Sequence, residues 1–254
     1  MLSVDRRKEI LNELFGRGSV TVGDLARKYG VRDETIRRDL KELARNWDIE
    51  IVYGGAHIRD SNGTQAVKEL AISTKRSENY DAKQVIARKA AELVEDGDMI
   101  GLNSGSTVEY IIDYIGDKSV HIITLNVNVA AKALLLPKAT VYIPGGRARN
   151  SSGMVIGPGS VDFIKSFAID KCFFGISALC KKRGIMHPVM EEVELNAAML
   201  SVSDKNYVVT DSSKINKTAF FSMTPLDAVD SFIVDGDFPP DYREYLAQSG
   251  INIM

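Results

Sequence analysis

From residue 81 onward, apolar runs of strand length alternate with stretches of helical periodicity, and no other feature of the 254-residue chain constrains its fold as strongly. Short apolar runs between polar turns predict strands, and apolar residues repeated every three or four positions predict helices. Because this alternation favours a mostly parallel sheet with helices on both faces, the sequence predicts an α/β domain. Strands are expected at residues 99–102, 121–124, 140–143, 171–175, 207–210 and 231–234, and helices at residues 83–94, 108–115, 127–136 and 191–201.

The first 59 residues predict a separate helical module. A first helix is expected over residues 6–15, and a second, capped by Thr21, ends at Tyr29 before a tight turn at Gly30. A third helix follows over residues 32–45. Two helices joined by a short turn that contains glycine are typical of a helix-turn-helix, whose second helix enters the major groove of DNA.

The third helix separates an apolar face from a basic one. Ile36, Leu40 and Leu43 fall within about 60° of one another, whereas Arg38 and the charged residues in phase with it point the opposite way. Arg and Lys side chains can bridge guanine or neutralise phosphates, and Thr can meet a base edge. The candidate DNA contacts are Thr35, Arg37 and Arg38 at the bases, and Lys41 and Arg45 at the phosphates.

Residues 49–53 and the following Gly54-Gly55 predict a small β hairpin, or wing. Residues 1–59 carry twelve Lys or Arg against ten Asp or Glu, whereas the rest of the chain carries 20 against 24. The charge alone is also compatible with a solvated helix face, and the helices with a purely structural module. The agreement of apolar stripe, glycine turn, basic face and β segment favours double-stranded DNA as the partner.

Polar residues 60–80 predict a linker between a DNA-binding domain at residues 1–59 and the α/β domain at residues 81–254. Cys172 and Cys180 are too few for a disulfide framework, no basic-then-apolar leader opens the chain, and no apolar run reaches ~18 residues. A cytoplasmic protein without a membrane partner is therefore expected. The three histidines lie far apart, and none has a metal-ligand spacing from a cysteine, so we expect neither a metal nor another cofactor.

The loop after the first strand of the α/β domain is the strongest candidate ligand site. An apolar strand runs into a Gly/Ser/Thr loop and then into a helix, where glycine admits close backbone approach and free amides attract anions. Taken alone, the loop is equally well explained as an ordinary capped turn. Because ligands bind outside the carboxyl ends of parallel strands, its location favours an effector site. The candidate residues are Asn103, Ser104, Gly105, Ser106 and Thr107.

Three further strand exits, at residues 124–126, 144–149 and 211–214, are expected at the same edge. Their arginines and lysine can neutralise a phosphate, and Asn126 and Asp211 can hydrogen-bond sugar hydroxyls. A solvated loop explains each exit alone, but several polar loops at one edge favour a ligand. Glu191, Glu192 and Glu194 are either candidate general bases or acids that suit the start of a helix. The candidate effector contacts here are Asn126, Gly145, Gly146, Arg147 and Lys214.

Short motifs in both halves of the chain form one family pattern. They are Arg7, Ile10, Leu11, Thr35-Ile-Arg-Arg-Asp-Leu40 and Gly54-Gly55-Ala56 in the first half, and Gly97-Asp98, Ser104-Gly-Ser-Thr107, Gly145-Gly146, Phe174-Gly175, Glu191-Glu192 with Met199, and Asp211-Ser-Ser-Lys214 in the second. With these residues the chain resembles the DeoR-type family of bacterial transcriptional regulators. The resemblance implies a winged helix-turn-helix joined to a sensor domain of the ribose-5-phosphate isomerase fold, which in this family senses phosphorylated sugars or related metabolites. Most members repress operons for sugar uptake or breakdown.

Several residues depart from the family pattern. Arg32 stands where a serine usually caps the recognition helix, and Asp33 can replace that cap if the helix start shifts by one residue. Ile51-Val-Tyr53 stands where Arg-x-His is usual, which argues against a contact between wing and phosphate. The changed residues in the supposed ligand loops, which imply an unusual effector, are Asn103, Ser106 and Leu125-Asn126.

An isomerase-like enzyme with an appended DNA-binding domain is the alternative function. Ribose-5-phosphate isomerases carry an Asp-Gly-Ala-Asp-Glu stretch whose carboxylates move the substrate's proton, and this chain has Gly175-Ile-Ser-Ala-Leu179 there. None of these side chains is a base at neutral pH, so binding without turnover is expected. Two DNA-binding domains held at the spacing of two operator half-sites predict a homo-oligomer, either a dimer or a tetramer.

Overall fold

A computed structural model describes residues 3–17, 19–46, 49–58, 78–149 and 152–254. The chain divides into two compact units, Met1–Thr64 and Gln65–Met254. Most of the linker predicted over residues 60–80 lies outside the described residues, which resume at residue 78.

The described part of the first unit combines three helices with a three-stranded antiparallel sheet of order β1-β3-β2. The helices pack through buried residues such as Ile10, Leu25 and Leu40, which confirms the predicted module. Strand β1 was not predicted, because three residues carry too little periodicity and the strand forms by pairing with β3. The elements are α1 (Ser3–Arg17), β1 (Ser19–Thr21), α2 (Val22–Tyr29), α3 (Asp33–Asn46), β2 (Ile49–Val52) and β3 (Gly55–Ile58).

The ends of α2 are as predicted. The Oγ1 atom of Thr21 accepts a hydrogen bond from the amide of Asp24 at 3.1 Å, and Gly30 ends the helix in the left-handed conformation at φ +63°. Helix α3 begins differently from the sequence-based suggestion that Asp33 acts as its cap. The carbonyl of Arg32 accepts the first helical bonds, so Asp33 lies inside the first turn, where its charge suits the helix dipole.

The second unit is built on a seven-stranded sheet of order β15-β14-β12-β9-β4-β5-β6, in which every neighbouring pair is parallel. This confirms the predicted parallel α/β domain. The helices are α4 (Tyr80–Glu92), α5 (Ser106–Ile115), α6 (Val127–Ala133), α7 (Ser160–Lys165), α8 (Met190–Ser201) and α9 (Pro240–Gln248). The strands of the sheet are β4 (Met99–Leu102), β5 (Val120–Thr124), β6 (Ala139–Tyr142), β9 (Ile169–Gly175), β12 (Ser203–Thr210), β14 (Ser231–Val234) and β15 (Asn252–Ile253).

Apolar residues cover both faces of this sheet. In β9, Phe173 packs into the cluster with α4, α5 and α6, whereas Cys172 and Phe174 pack on the opposite face with α7 and α8. Burial on both faces explains why the strands read as continuous apolar runs rather than as alternating ones. Burial also raises the pKa of the Cys172 thiol, so this cysteine behaves as a core residue.

Several short elements escaped the sequence analysis. They include the hairpin β7 (Arg147–Ala148) with β8 (Val155–Ile156), helices α7 and α9, and strand β15. A second antiparallel sheet has the order β10-β11-β13. Strands of two to four residues carry no readable period, and tertiary pairing decides them. The strands of this second sheet are β10 (Ala178–Cys180), β11 (Gly184–His187) and β13 (Phe221–Thr224).

The strand order places a topological switch point beside β4. From β4 the chain passes outward through β5 and β6, and it then returns to the other side of β4 to form β9. The loops after β4 and β9 therefore leave in opposite directions at the carboxyl edge and open a crevice, which is where ligands bind in open α/β sheets.

Candidate DNA-binding surface and ligand site

Helix α3 has the two faces that its periodicity predicts. Ile36, Leu40 and Leu43 are buried against the other helices of the first unit. On the opposite side the basic residues are exposed, and Thr35 is half-buried. The four exposed basic residues are Arg37, Arg38, Lys41 and Arg45.

A buried ion pair fixes the orientation of α3. The Nε atom of Arg6 in α1 donates to Oδ2 of Asp39 at 2.7 Å, and both side chains are more than nine-tenths buried. Asp39 lies in the run that resembles the family signature, and this contact explains its presence on an otherwise basic helix. Arg7 is the residue that matches the family pattern, whereas its neighbour Arg6 makes this contact with α3.

Several other cations in the described part of the first unit have carboxylate partners. Lys28 and the hydroxyl of Tyr29 both donate to Glu13, at 2.6 and 2.8 Å, which ties α2 to α1. Burial and the hydrogen bond to Glu13 raise the pKa of Tyr29, so the phenol stays a donor. Arg27 pairs with Asp24 in α2. On α3 itself, Arg45 pairs with Glu42 at 2.8 Å. In both pairs the two residues are three positions apart on one helix.

Three basic side chains of α3 contrast with these pairs. Within the described part of the chain, Arg37, Arg38 and Lys41 form no ion pair. Uncompensated cations on an exposed helix face attract a polyanion, and they lose little on binding because no carboxylate must be displaced. The geometry therefore favours this face of α3 as a nucleic-acid interface.

The wing carries an apolar tip. Ile51, Val52 and Tyr53 are exposed, and Gly54 turns the chain at φ +87°. At the base of the wing, Glu50 lies 3.7 Å from the ring of His57. The absence of Arg or Lys from residues 49–57 agrees with the sequence-based argument against an ionic contact between wing and phosphate.

In the second unit, the loop after β4 leads directly into α5. Gly105 occupies the position before the helix at φ +127°, a conformation that favours glycine, and within the described structure no side chain caps this end. Ser106 and Thr107 are largely buried in the first turn. The amides at the start of α5 therefore suit an anion such as a phosphate group.

Asn103 holds the switch point together. Its Nδ2 atom donates to the carbonyl of Gly175 at 3.0 Å and to Oδ1 of Asn196 at 3.1 Å, and its Oδ1 accepts from the amide of Gly175 at 2.8 Å. These bonds engage both ends of the amide and join β4 to β9. The contacts favour a positioning role for Asn103. Neither Asn103 nor Asn196 can act as a general base.

The contacts of Asn126 also indicate a structural role. Its Oδ1 accepts from the amides of Asn128 and Val129 and so caps α6, while its Nδ2 donates to the carbonyl of Ser152 at 2.7 Å. These bonds favour a helix-capping role over the hydroxyl-binding role predicted from the sequence.

A buried charge cluster lies at the carboxyl end of β12. Burial raises the pKa of Asp211, but the charge of Lys214, the hydrogen bonds from Ser213 and the charge of Lys83 outweigh it and lower that pKa overall. Oδ1 of Asp211 accepts from Asn79 and Ser213, whereas Oδ2 is buried without a hydrogen-bond partner among the described residues. An unsatisfied carboxylate oxygen suits a ligand hydroxyl.

Lys83 is a further candidate for the ligand site, and the sequence-based prediction did not include it. It is buried, and its ammonium donates to the carbonyl of Glu78 at 2.5 Å near the start of α4. The signal was present in the sequence, because Lys83 occupies a stripe position of α4 together with Ile86, Ala87 and Ala90. A lysine in phase with an apolar stripe indicates a buried cation.

The loop after β6 contributes both to a groove and to the surroundings of Glu192. Gly146 and Arg147 line a groove of about 540 Å³ between the β7–β8 hairpin and α8, where Glu191 and Glu194 face them. Gly145 is exposed just before this groove. The link to the loop after β4 runs instead through Arg149, whose guanidinium pairs with Glu192. Of the two arginines at this predicted exit, Arg149 converges with Ser104 on Glu192, and Arg147 lies at the groove.

The described residues contain neither a helix that could span a membrane nor a side-chain cluster that could bind a metal. No helix there is long and apolar enough to cross a membrane, and no group of three or more His, Cys, Asp or Glu side chains is placed to hold a metal ion.

Comparisons with known proteins agree with both halves of this description. Residues 78–236 match the DeoR C-terminal sensor domain, and residues 6–62 match the DeoR-like helix-turn-helix domain. The putative aga operon transcriptional repressor of Escherichia coli O157:H7 is 32% identical over 252 residues, which cover 98% of this chain and 93% of that protein. A lactose phosphotransferase system repressor of Staphylococcus epidermidis is 32% identical over 242 residues, covering 93% and 94%.

Among solved structures, ribose 5-phosphate isomerase from Plasmodium falciparum is similar over 53% of this chain and 52% of its own, with 20% identity and a TM-score of 0.39. The sequence relatives are named as repressors and not as enzymes. Because the sensor-domain match alone spans more than half of the chain, the protein belongs to the DeoR family of DNA-binding transcriptional regulators.

Proposed function

We propose that this protein represses a carbohydrate-metabolism operon in the cytoplasm, and that a phosphorylated sugar or a related metabolite bound in its second unit controls its hold on the operator. The named relatives, repressors of the aga operon and of a lactose phosphotransferase system, support a carbohydrate target. The amides of α5 and the cluster around Asp211 support an anionic, hydroxylated effector.

The observation that carries the DNA-binding half of the proposal is the trio of uncompensated cations on α3. In this proposal Thr35, Arg37 and Arg38 contact bases or lie close in the major groove, because they lie in the first half of the recognition helix. Lys41 and Arg45, nearer its end, contact phosphates. The pair between Arg45 and Glu42 is exposed, so little opposes its exchange for a phosphate.

The effector half rests on the spacing of two strand exits. Strands β4 and β12 both border β9, so the start of α5 and the Asp211 cluster lie two strand spacings apart, or about 10 Å. A sugar phosphate can bridge this span, with its phosphate at α5 and a hydroxyl at Oδ2 of Asp211. Lys83 and Lys214 supply positive charge. The effector contacts in this proposal are Ser104, Gly105, Ser106, Thr107, Lys83, Asp211 and Lys214.

Control of the operator requires that the effector discriminate between two arrangements of the DNA-binding units. A homo-oligomer places two copies of α3 at successive major grooves, about 34–36 Å apart. An effector that binds one arrangement better shifts the population, and one that binds both equally changes nothing.

Fluorescence anisotropy with labelled DNA from the protein's own upstream region tests the proposal. We expect specific binding that weakens steeply as salt rises, and loss of that binding in the triple variant Arg37→Ala/Arg38→Ala/Lys41→Ala. Ribose 5-phosphate and glucose 6-phosphate are then titrated into the complex, with Lys83→Met as the variant that loses any response. Equal affinity for upstream and unrelated DNA would contradict specific operator binding. An effect of sugar phosphates that persists in Lys83→Met would contradict the proposed effector site.

A further inference from the structure

Glu192 is the most deeply buried acidic side chain on α8, and it joins this helix to three other segments. Its carboxylate is 1% exposed. Oε1 accepts from Arg149 and from Ser152, both at 2.9 Å. Oε2 lies 3.5 Å from the hydroxyl of Ser104 and 3.4 Å from Nε2 of His187. The carboxylate therefore touches the β7–β8 connection, the loop after β4 and the end of β11.

The two carboxylate oxygens are unequally bonded. Oε1 has two short hydrogen bonds, one of them to a cation. Both contacts of Oε2 lie at the outer limit for a hydrogen bond, and no shorter one involves any described residue. A buried charged oxygen with only long contacts is under-bonded, and burying such an oxygen is unfavourable. A donor brought by a ligand removes this penalty.

The position of Oε2 indicates which part of a ligand it would contact. Ser104 lies immediately before Gly105 and the amide-bearing start of α5, so Oε2 faces the loop to which the phosphate is assigned. When a phosphate occupies that loop, the group next to it along the ligand reaches Oε2. The Ser104 hydroxyl, held only at 3.5 Å, can turn from Glu192 to the ligand.

The charge of the cluster indicates the kind of donor. Arg149 compensates Glu192. Nδ1 of His187 lies against the backbone of Val189, 3.2 Å from its amide and 3.4 Å from its carbonyl, so Nε2 is the ring nitrogen that faces Glu192. Because Arg149 already compensates the charge of Glu192, a neutral hydroxyl suits Oε2 better than an ammonium group.

We infer that Glu192 is a specificity-determining residue of the effector site, whose Oε2 accepts a hydrogen bond from a sugar hydroxyl next to the phosphate. This inference rests on the proposed function, since it places a sugar phosphate at the start of α5. Glu192 selects polyol phosphates over phosphate alone. From the sequence, Glu192 was either a candidate general base or an acid that suits the helix dipole at the start of α8. Neither role involves its contacts with Ser104 and Arg149.

Calorimetric titration of the full-length protein tests the inference. The probes are inorganic phosphate, methyl phosphate, ribose 5-phosphate and glucose 6-phosphate, and the quantity compared is the ratio of the Kd for inorganic phosphate to the lower of the two sugar-phosphate Kd values. In Glu192→Gln, Arg149 and Ser152 hold the amide oxygen, so an NH2 group that cannot accept replaces Oε2. We expect this ratio to fall roughly tenfold to a hundredfold, with inorganic phosphate bound as before.

Glu194→Gln is the matched control, because it makes the same change of charge on the same helix but faces the groove beside Arg147. If Glu192→Gln does not fold, the double variant Arg149→Gln/Glu192→Gln removes both charges and is expected to lose the same preference. Methyl phosphate, which has no hydroxyl, should bind the wild-type protein no better than inorganic phosphate.

The outcomes separate the inference from the function beneath it. A sugar-phosphate preference that persists in a folded Glu192 variant, or methyl phosphate binding as tightly as the sugar phosphates, overturns the role of Glu192 and leaves the effector proposal standing. Failure of every phosphate probe to bind the wild-type protein overturns both.

Discussion

The two candidate binding surfaces both suit anions, yet they hold their charges in opposite ways. On α3 the cations Arg37, Arg38 and Lys41 are exposed and have no carboxylate beside them in the described structure. At the carboxyl edge of the large sheet, by contrast, buried carboxylates are matched by cations, as Glu192 is by Arg149 and Asp211 by Lys83 and Lys214. The first surface therefore presents unpaired charge to solvent, whereas the second holds its charges in fixed positions inside the protein.

The difference follows from the size of the ligand. A DNA duplex brings a long array of charges, so solvated cations attract it and gain from counterion release without being held in place. A small metabolite offers few contacts, so each polar group must be positioned in advance, and a buried charge is tolerated only with a partner.

The largest effect is expected where the DNA-binding unit itself uses a matched pair. Arg6→Ala and Asp39→Ala should each lower the free energy of unfolding by about 3–5 kcal/mol, because each leaves a buried charge without its partner. Urea unfolding followed by fluorescence of Trp47, the single tryptophan of the chain, measures it. The exposed pair of Arg45 with Glu42 provides the control, since Arg45→Ala should cost about 1 kcal/mol or less. Equal losses in the three variants would remove the distinction between buried and exposed pairs.

Arg38→Ala is expected to weaken operator binding by about 1–3 kcal/mol and to relax sequence preference at one base pair, since a bidentate contact to guanine carries that discrimination. Competition anisotropy against operators substituted base by base measures both quantities. Arg27→Ala is the comparison variant, because Arg27 is exposed but already paired with Asp24. A loss of affinity spread evenly over all substituted operators would reassign Arg38 to the phosphates.

Lys41→Ala should weaken binding almost equally for every DNA sequence. Its signature is the salt dependence: the slope of log affinity against log salt should become shallower by about one. Binding measured across a salt series gives this slope. A change in base preference without a change in slope would place Lys41 at a base edge.

The large elements of the fold could be predicted because one cause dominated each of them. Strands 99–102 and 231–234 end where the sequence predicts, since burial on both faces makes the whole strand apolar. Strand β12 begins earlier than predicted, at Ser203, because its first residues are polar and partly exposed and are held by pairing with β9. The local sequence pattern therefore predicts the centres of the strands, whereas their ends depend on pairing within the sheet.

The binding residues were harder to predict because their contacts are distant in sequence. Glu192 meets Ser104 across 88 positions and Arg149 across 43, and no local pattern encodes either contact. Asn103 and Asn126 had the right residue type for ligand binding, but the structure engages both side chains in backbone hydrogen bonds. The α3 surface needed only helical periodicity. The residues that touch operator and effector stay predictions.

The smallest effect concerns the pH dependence of the matched cluster at the sensor site. Lys214, the bonds from Ser213 and the charge of Lys83 lower the pKa of Asp211 despite its burial, so the folded state favours the ionised form. A carboxyl whose pKa is lower when folded contributes stability above its unfolded value of about 3.9, and this contribution is lost as the pH falls through the lower folded value.

Below about pH 4 the wild-type protein should therefore lose stability more steeply than Asp211→Asn, which has no such proton to take up. Urea midpoints measured from pH 6 downward give the two profiles, and Asp204→Asn, at an exposed position of β12, should follow the wild-type curve. Parallel profiles for wild type and Asp211→Asn would mean that Lys83 and Lys214 do not stabilise this carboxylate. The sensor site would then hold its charges as openly as α3 does, and the contrast between the two surfaces would fail.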